Sequence, residues 1–313
     1  MCKRILMIMA IVLAVSGLAL ANSANITQTG SDNSATIDQV GSNNNATVTQ
    51  TGNDNKADID QIGHRNTATK TQIGDNYDNS IYQEGDDNTA TQYQDGIGNS
   101  VSDIVQIGNR NTASQTQMGN NNTATLSQML SDDCTAIQRQ YNYGDNTTNV
   151  ASIEQDGSGQ YAYQYQYNYG IDATTYATIE QEGARNEATQ TQSQCDWGVG
   201  GTVNALIKQS GEDNVAIQYQ VNGNLNAEIY QNGIGNYACQ DQLTGYGDLN
   251  AEIYQDGIGN YAKQYQSTLY GDLDASCTQI GNYNHCEQHQ YGTGHSSTVT
   301  QMGDYNSVVI TQS

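Results

Sequence analysis

Asn33-Ser-Ala-Thr-Ile-Asp-Gln-Val-Gly41 is one copy of a phrase that recurs along almost the whole chain. Its glutamine, Gln39, is followed by another glutamine eleven residues later, at Gln50, and the same register can be traced to Gln312. We count about 25 copies among the 313 residues. A short internal repeat of this kind indicates a stacked array, in which each unit buries its core against its neighbours, rather than two separate domains.

The repeat has the two-residue period of a β-strand, followed by a turn. Asn, Ala, Ile and Gln stand at alternate positions and therefore point to one side of an extended chain, with Thr, Ser, Asp, Glu or Tyr between them. The spacing of an amphipathic helix is absent. The glycine two residues after the glutamine can adopt the positive φ that a tight reversal requires. The predicted arc glycines are Gly41, Gly63, Gly85, Gly108, Gly157, Gly183, Gly211, Gly233, Gly257, Gly281 and Gly303.

The third inward position of the phrase separates the copies into two alternating kinds of strand. One kind has a large apolar residue there and the other usually has glutamine, so the structural unit is about 22 residues long. Val48, Lys70 and Ile310 are exceptions at glutamine positions. One connecting interval is almost constant at 11 residues and the other ranges from 11 to 17, as expected of a surface arc that accepts insertions. The predicted apolar ladder contains Ile37, Ile59, Ile81, Ile104, Leu126, Ile153, Ile179, Ile207, Ile229, Ile253 and Val299.

Folding one turn about its glycine brings the inward residues of two strands face to face. Gln39 then faces Asn44, and Ile37 faces Ala46, so that each amide meets an amide and each large side chain meets a small one. Stacked turns place glutamine above glutamine at the strand spacing of about 4.8 Å, where side-chain amides can hydrogen-bond in both directions. The predicted core amide ladders contain Gln39, Asn44, Gln50, Gln61, Gln83, Gln106, Gln155, Gln181, Gln209, Gln231, Gln255, Gln279 and Gln301.

These features predict an all-β fold, a two-sheet parallel β-solenoid of about 12 turns with about 25 short strands. At one strand spacing per turn, it would be roughly 55–60 Å long. Its interior strands are paired on both edges, whereas the two ends leave sheet edges open. The predicted assembly edges are Asn22, Ala24, Ile26 and Gln28 at the start, and Asn306, Val308, Ile310 and Gln312 at the end.

Residues 1–21 stand outside the repeat. Lys3 and Arg4 precede an apolar run from Ile5 to Val15, and Ala-Leu-Ala at 19–21 fits a cleavage site. This pattern is typical of a secretory signal peptide, with a retained anchoring helix as the alternative. Residues 22–313 are then a single repeat array, in which we expect no membrane span.

The composition argues against several function classes. A net charge of −23 is unsuited to nucleic acid, because phosphate binding requires a basic surface. The chain lacks proline, which would interrupt strand pairing, and has 22 tyrosines but no phenylalanine. Its acidic residues are scattered without the spacing of a calcium loop, so we expect neither metal nor cofactor.

The stretch Gln39-Val-Gly-Ser-Asn-Asn-Asn-Ala-Thr-Val-Thr-Gln50 resembles the curlin repeat of bacterial curli subunits. The resemblance extends over nearly all of residues 22–313. It implies export, a β-solenoid fold and polymerisation into the extracellular amyloid fibres of a biofilm matrix. It also implies two partners, a nucleator subunit and an outer-membrane export pore. The Gly-rich leader of curli subunits has no counterpart before Asn22, and the array is longer than is usual for the family.

Catalytic and metal-binding constellations are weak. The four histidines, His64, His285, His289 and His295, lack metal-ligand spacing and are predicted to lie at the surface. Carboxylate pairs such as Asp58/Asp60 share an outward strand face rather than a cleft, so a solvated face is the better interpretation. We therefore predict that the protein is not an enzyme.

Five cysteines follow the predicted signal peptide, and an odd number leaves at least one unpaired. Cys277 and Cys286 are expected to face each other across the core. Two sheets about 10 Å apart are too widely spaced for a relaxed disulfide. Buried thiols that fill the core are therefore the preferred interpretation.

The outward residues leave an alternative function open, a solenoid that binds a surface as a monomer. Tyrosines on this face could stack on carbohydrate, although tyrosine also favours strands without any ligand. Thr47/Thr49 begin a Thr-x-Thr row of the kind that could bind ice, but Arg139 and other residues interrupt it. The outward tyrosines are Tyr82, Tyr93, Tyr165, Tyr219, Tyr230, Tyr254 and Tyr265.

Overall fold

Two stacked parallel sheets make up the protein, in a computed structural model that describes residues 21–96, 100–195 and 201–313. The predicted all-β, two-sheet parallel β-solenoid of about 12 turns is confirmed. The predicted signal peptide lies outside the described residues apart from Ala21. Residues 196–200, within the longest predicted insertion, also lie outside them.

The chain alternates between the sheets, so that odd-numbered strands form one and even-numbered strands the other. The 13-stranded sheet contains β1 (Ser23–Thr29), β3 (Asn45–Thr51), β5 (Thr67–Ile73), β7 (Thr89–Asp95), β9 (Thr112–Gly119), β11 (Thr135–Asn142), β13 (Tyr161–Asn168), β15 (Glu187–Gln194), β17 (Val215–Val221), β19 (Tyr237–Thr244), β21 (Tyr261–Thr268), β23 (His285–Tyr291) and β25 (Ser307–Gln312). The 12-stranded sheet contains β2 (Ser34–Ser42), β4 (Lys56–His64), β6 (Asp78–Asp86), β8 (Val101–Asn109), β10 (Asn122–Asp132), β12 (Thr148–Ser158), β14 (Thr174–Ala184), β16 (Thr202–Glu212), β18 (Asn224–Ile234), β20 (Asp248–Ile258), β22 (Leu273–Ile280) and β24 (His295–Met302).

The register places each residue of the phrase above its counterpart in the next turn. Between β12 and β14, for example, Ile153 pairs with Ile179 and Gln155 with Gln181. Shifting a strand by one residue would turn its whole inward set to solvent, so the buried phrase fixes the register.

The apolar core runs the length of the stack. Alanines and branched residues of both sheets form one continuous buried cluster from Ala35 to Val299. Burying each isoleucine contributes about 1.5–3 kcal/mol. The terminal side chains of Ala24, Ile26, Val308 and Ile310 are only partly buried against this cluster, because they belong to the first and last strands of the described residues.

The arcs require glycine for both conformation and space. Gly41 has φ 109°, and a Cβ there would lie 1.9 Å from the carbonyl oxygen of Gly63 in the next turn. All the predicted arc glycines have positive φ. The sequence did not reveal a second positive φ two residues later, as at Asn43 with φ 58°.

Candidate functional site: amide ladders and open ends

Glutamine side chains form hydrogen-bonded ladders along the solenoid axis. In the 12-stranded sheet, each Nε2 donates to Oε1 of the glutamine in the next turn over 2.8–2.9 Å, from Gln39 to Gln301. The other sheet has a second ladder in two runs, from Gln28 to Gln72 and from Gln94 to Gln312. It also has a third ladder at the third inward position, from Gln92 to Gln288. The first ladder links Gln39, Gln61, Gln83, Gln106, Gln128, Gln155, Gln181, Gln209, Gln231, Gln255, Gln279 and Gln301.

The second amide hydrogen of these glutamines bonds to the opposite sheet. Gln39 donates to the carbonyl oxygen of Ser23 and Gln50 to that of Ser34, both over 3.0 Å. The prediction that Gln39 meets the amide of Asn44 is wrong for the hydrogen bonds, because the two side chains donate to other partners. The backbone carbonyl next to the inward asparagine takes the hydrogen, so the ladder ties the two sheets together.

The inward asparagines hydrogen-bond to backbone groups of the arcs. Asn44 donates to the carbonyl oxygen of Gly63 over 2.9 Å, and its Oδ1 accepts the backbone N–H of Asn66 over 3.0 Å. An asparagine thus satisfies backbone groups that the turn leaves without strand partners.

All the glutamine ladder bonds point the same way, so the two ends of the solenoid differ. Within the described residues, Oε1 of Gln28 and Gln39 accepts no hydrogen bond, and Nε2 of each donates to the next turn. At the other end, Gln301 and Gln312 donate only to backbone carbonyls and keep one amide hydrogen each. In the glutamine ladders, the opening turn therefore presents acceptors and the closing turn presents donors.

The remaining predicted edge residues lie beside these groups. Asn22 donates to the carbonyl oxygen of Gly41 over 3.2 Å, and Asn306 donates to Asn284 Oδ1 over 2.9 Å. Among the described strands, β1, β2, β24 and β25 are paired on one edge only.

The third turn departs from the repeat. Lys70 is fully buried, and its Nζ donates to the carbonyl oxygens of Asp58 and Asn79 over 2.9 and 2.7 Å. Burial lowers the pKa of Lys70 to about 7, although nearby carboxylates oppose this shift. Tyr77 occupies an asparagine position and is 1 % exposed, and burial raises the pKa of its hydroxyl to about 12. The lysine was visible in the sequence, whereas the burial of Tyr77 was not predicted.

A second apolar column was also missed. Val203, Leu225, Leu249 and Leu273 replace the asparagine of the even strands in four consecutive turns and pack on one another. They lie at the strand position that Asn122 and Asn149 occupy in earlier turns, and this shared position was the signal in the sequence that could have revealed them.

The cysteines of the described residues are all free thiols. Cys277 and Cys286 are both buried, and a hydrogen bond to Cys286 together with burial raises the pKa of the Cys277 thiol. The predicted closeness of these two residues across the core agrees with this contact.

The outward faces carry charge and aromatic rings. Tyr237 stacks on Tyr261 with ring centroids 5.1 Å apart, and Tyr261 stacks on His285 at 4.8 Å. A shallow groove of about 420 Å³ on the 12-stranded sheet is bordered by the two tyrosines Tyr230 and Tyr254 and by several carboxylates.

Across the described ranges, no three His, Cys, Asp or Glu residues are placed to hold a metal ion. The same ranges contain no helix with the length and apolarity of a membrane span.

The described residues define the class of protein as a two-sheet parallel β-solenoid with internal amide ladders and two unlike ends. In this chain, the family model described as "Curlin associated repeat" matches residues 21–52 and 52–79. These consecutive matches support a curlin-repeat protein, and they confirm the resemblance carried by the quoted phrase. A search of curated proteins gave no match.

Proposed function

We propose that the protein is a secreted structural subunit that assembles head to tail into extracellular, amyloid-like fibres of a biofilm or adhesive matrix. The observation that carries this proposal is the polarity of the glutamine ladders. Gln301 and Gln312 of one subunit have spare donors, and Gln28 and Gln39 of the next have spare acceptors. A contact between unlike ends does not close on itself, so it produces filaments.

The terminal strands have the composition that such a contact requires. Ser307–Gln312 contains no charge, glycine or proline and is rich in β-branched residues, which is typical of cross-β segments. Val308 and Ile310 are partly buried against the core and would be covered by a further turn. The net charge of −23 opposes association, so added salt is expected to accelerate it.

Export and partners follow from the resemblance and the predicted signal peptide. Residues 1–21 would direct secretion, and a nucleator subunit and an outer-membrane pore would be the partners by analogy with curli. A structural subunit needs no catalytic group, which agrees with the weak catalytic constellations.

The test uses residues 22–313 with Val308→Lys and Ile310→Lys, which place two charges on the inward face of the closing edge. Fibre growth is measured by thioflavin fluorescence and electron microscopy. Val309→Lys is the matched control, because Val309 points outward and is 61 % exposed. We expect the double variant, or a chain without residues 306–313, to lose fibre growth while the control keeps it. Growth of the double variant at the unmodified rate would contradict templating by β25 and favour lateral contacts.

A monomeric surface-binding solenoid is the alternative function. The groove beside Tyr230 and Tyr254 favours a carbohydrate ligand over ice, because aromatic faces next to carboxylates suit sugars. Polysaccharide binding by the monomer without fibre formation would support this alternative, and thermal hysteresis of ice would support the ice-binding version.

A further inference from the structure

We propose that successive subunits of the fibre are related by a half-turn about its long axis, so that each subunit exchanges the positions of its two sheets relative to its neighbour. In this arrangement, β1 of the next subunit pairs with β24, and β2 of the next subunit pairs with β25. The inference rests on the proposed head-to-tail assembly and specifies the interface, whose occupant is a second copy of this chain.

The number of strands is the argument for the rotation. The described residues form 25 strands, and because this number is odd, the first and last of them, β1 and β25, lie in the same sheet. An unrotated copy would place its β1 on β25, but its β2 would then lie two strand spacings from β24. A slot one strand wide, about 4.8 Å, would remain in the 12-stranded sheet with unpaired backbone groups on both sides. A rotated copy fills this slot with its β1.

Strand direction permits the rotation. Neighbouring strands within each sheet are parallel. Consecutive strands of the chain lie in opposite sheets and run in opposite directions, since Gln39 near the end of β2 donates to the carbonyl oxygen of Ser23 at the start of β1. A half-turn about the long axis exchanges the sheets and also reverses the strand directions. The β1 strand of the rotated copy is therefore parallel to β24, as the ladder requires.

The side chains at the third inward position fit the rotated junction, and they would also fit an unrotated one, in which Ile310 would lie under Ile26 of the next subunit. Strands of the 13-stranded sheet carry glutamine there from Gln92 to Gln288, but the terminal strands carry Ile26 and Ile310. In the rotated stack, Val299 lies under Ile26 of the next subunit and Ile310 lies under Ile37. Glutamine at position 310 would instead lie under isoleucine and lose its ladder partner. The two isoleucines that replace glutamine in the terminal strands thus join the apolar column of one subunit to that of the next.

The same rotation continues both terminal ladders. Gln301 meets Gln28 of the next subunit and Gln312 meets Gln39, so each spare donor has a spare acceptor at the same register. Thr300 and Thr27 precede Gln301 and Gln28 on the outward face and are therefore neighbours across the rotated junction. In an unrotated junction, Thr27 would lie beside Thr311 instead.

The two arrangements are distinguished by cross-linking. Cys195→Ser and Cys239→Ser first remove the two cysteines that are not fully buried. Thr27→Cys with Thr300→Cys is then compared with Thr27→Cys with Thr311→Cys, after fibre growth and oxidation in air. Adjacent parallel strands bring paired Cα atoms within the range of a disulfide.

We expect covalent multimers on non-reducing denaturing gels from the first pair and monomers from the second. Covalent multimers from the second pair would overturn the half-turn while leaving head-to-tail assembly in place. The same holds if fibres form but neither pair gives covalent multimers. Absence of fibres from the unmodified chain would overturn both. A reconstruction of unmodified fibres gives a second reading, because the half-turn predicts an uninterrupted strand spacing and a subunit rise of about 60 Å, whereas the unrotated stack has a gap.

Discussion

The side-chain amide of Gln155 donates to Oε1 of Gln181 over 2.8 Å, while Gln155 Oε1 accepts from Gln128 over 2.9 Å. The same amide also donates to the carbonyl oxygen of Thr135 in the other sheet over 3.3 Å. One buried glutamine thus links three turns and both sheets. This arrangement explains how a core with so many amides avoids the cost of buried unsatisfied polar groups.

Gln155→Leu is expected to lower the free energy of unfolding by about 1–3 kcal/mol, because it leaves Gln128 without an acceptor and Gln181 without a donor. Gln155→Asn keeps an amide and should be milder. Denaturant unfolding of freshly prepared monomer measures both. Equal tolerance of leucine and asparagine would contradict a ladder at this site.

Ile153→Asp is expected to destabilise the monomer by several kcal/mol, because it places an unpaired carboxylate within the continuous apolar core. Ser152→Asp is the matched control on the outward face and should change stability by less than about 0.5 kcal/mol. Circular dichroism of thermal unfolding compares them. Similar losses in the two variants would show that the inward and outward assignments are wrong.

Gly233 and Gly235 lie in one arc but differ in what a side chain would meet. A Cβ at Gly233, where φ is 117°, would lie 2.1 Å from the carbonyl oxygen of Gly257, whereas nothing lies within 4 Å of a Cβ at Gly235, where φ is 65°. We expect Gly233→Ala to cost about 2–4 kcal/mol and Gly235→Ala about 1 kcal/mol. Free energies of unfolding in denaturant test the difference, and a reversed order would contradict the stacking of the arc backbones.

The fold was predictable because one phrase fixes strand, turn and register at once. Alternation placed Ile153 inside, and repetition placed it beside Ile179, without any need to know distant contacts. The destination of the second glutamine hydrogen was not predictable, because it depends on how far the side chain reaches across the core. The burial of Tyr77 was missed for a related reason, since a bulky residue at a single asparagine position gives no periodic signal.

Lys70 is a basic residue at a buried position that carries glutamine in most strands of the 13-stranded sheet. It lies between Val48 and Gln92 in the stack, and burial in this column lowers its pKa from 10.5 to about 7. Between these two pH values, the unfolded chain binds a proton that the folded chain does not, so stability rises with pH. The destabilisation that comes from burying the charged side chain of Lys70 is fully present below about pH 7 and is lost as the pH approaches 10.5.

Lys70→Gln is therefore expected to stabilise the monomer by up to a few kcal/mol at pH 6 and to remove much of the increase in stability between pH 7 and 10, because glutamine cannot carry the buried charge. It would also provide the amide that Gln92 lacks below it in the third ladder. Lys263→Gln is the matched control, because Lys263 lies on the outward side of β21. Denaturant unfolding from pH 6 to 10 provides the measurement. A slope of stability against pH that is the same for Lys70→Gln and the unmodified chain would contradict a buried lysine that loses its proton on folding.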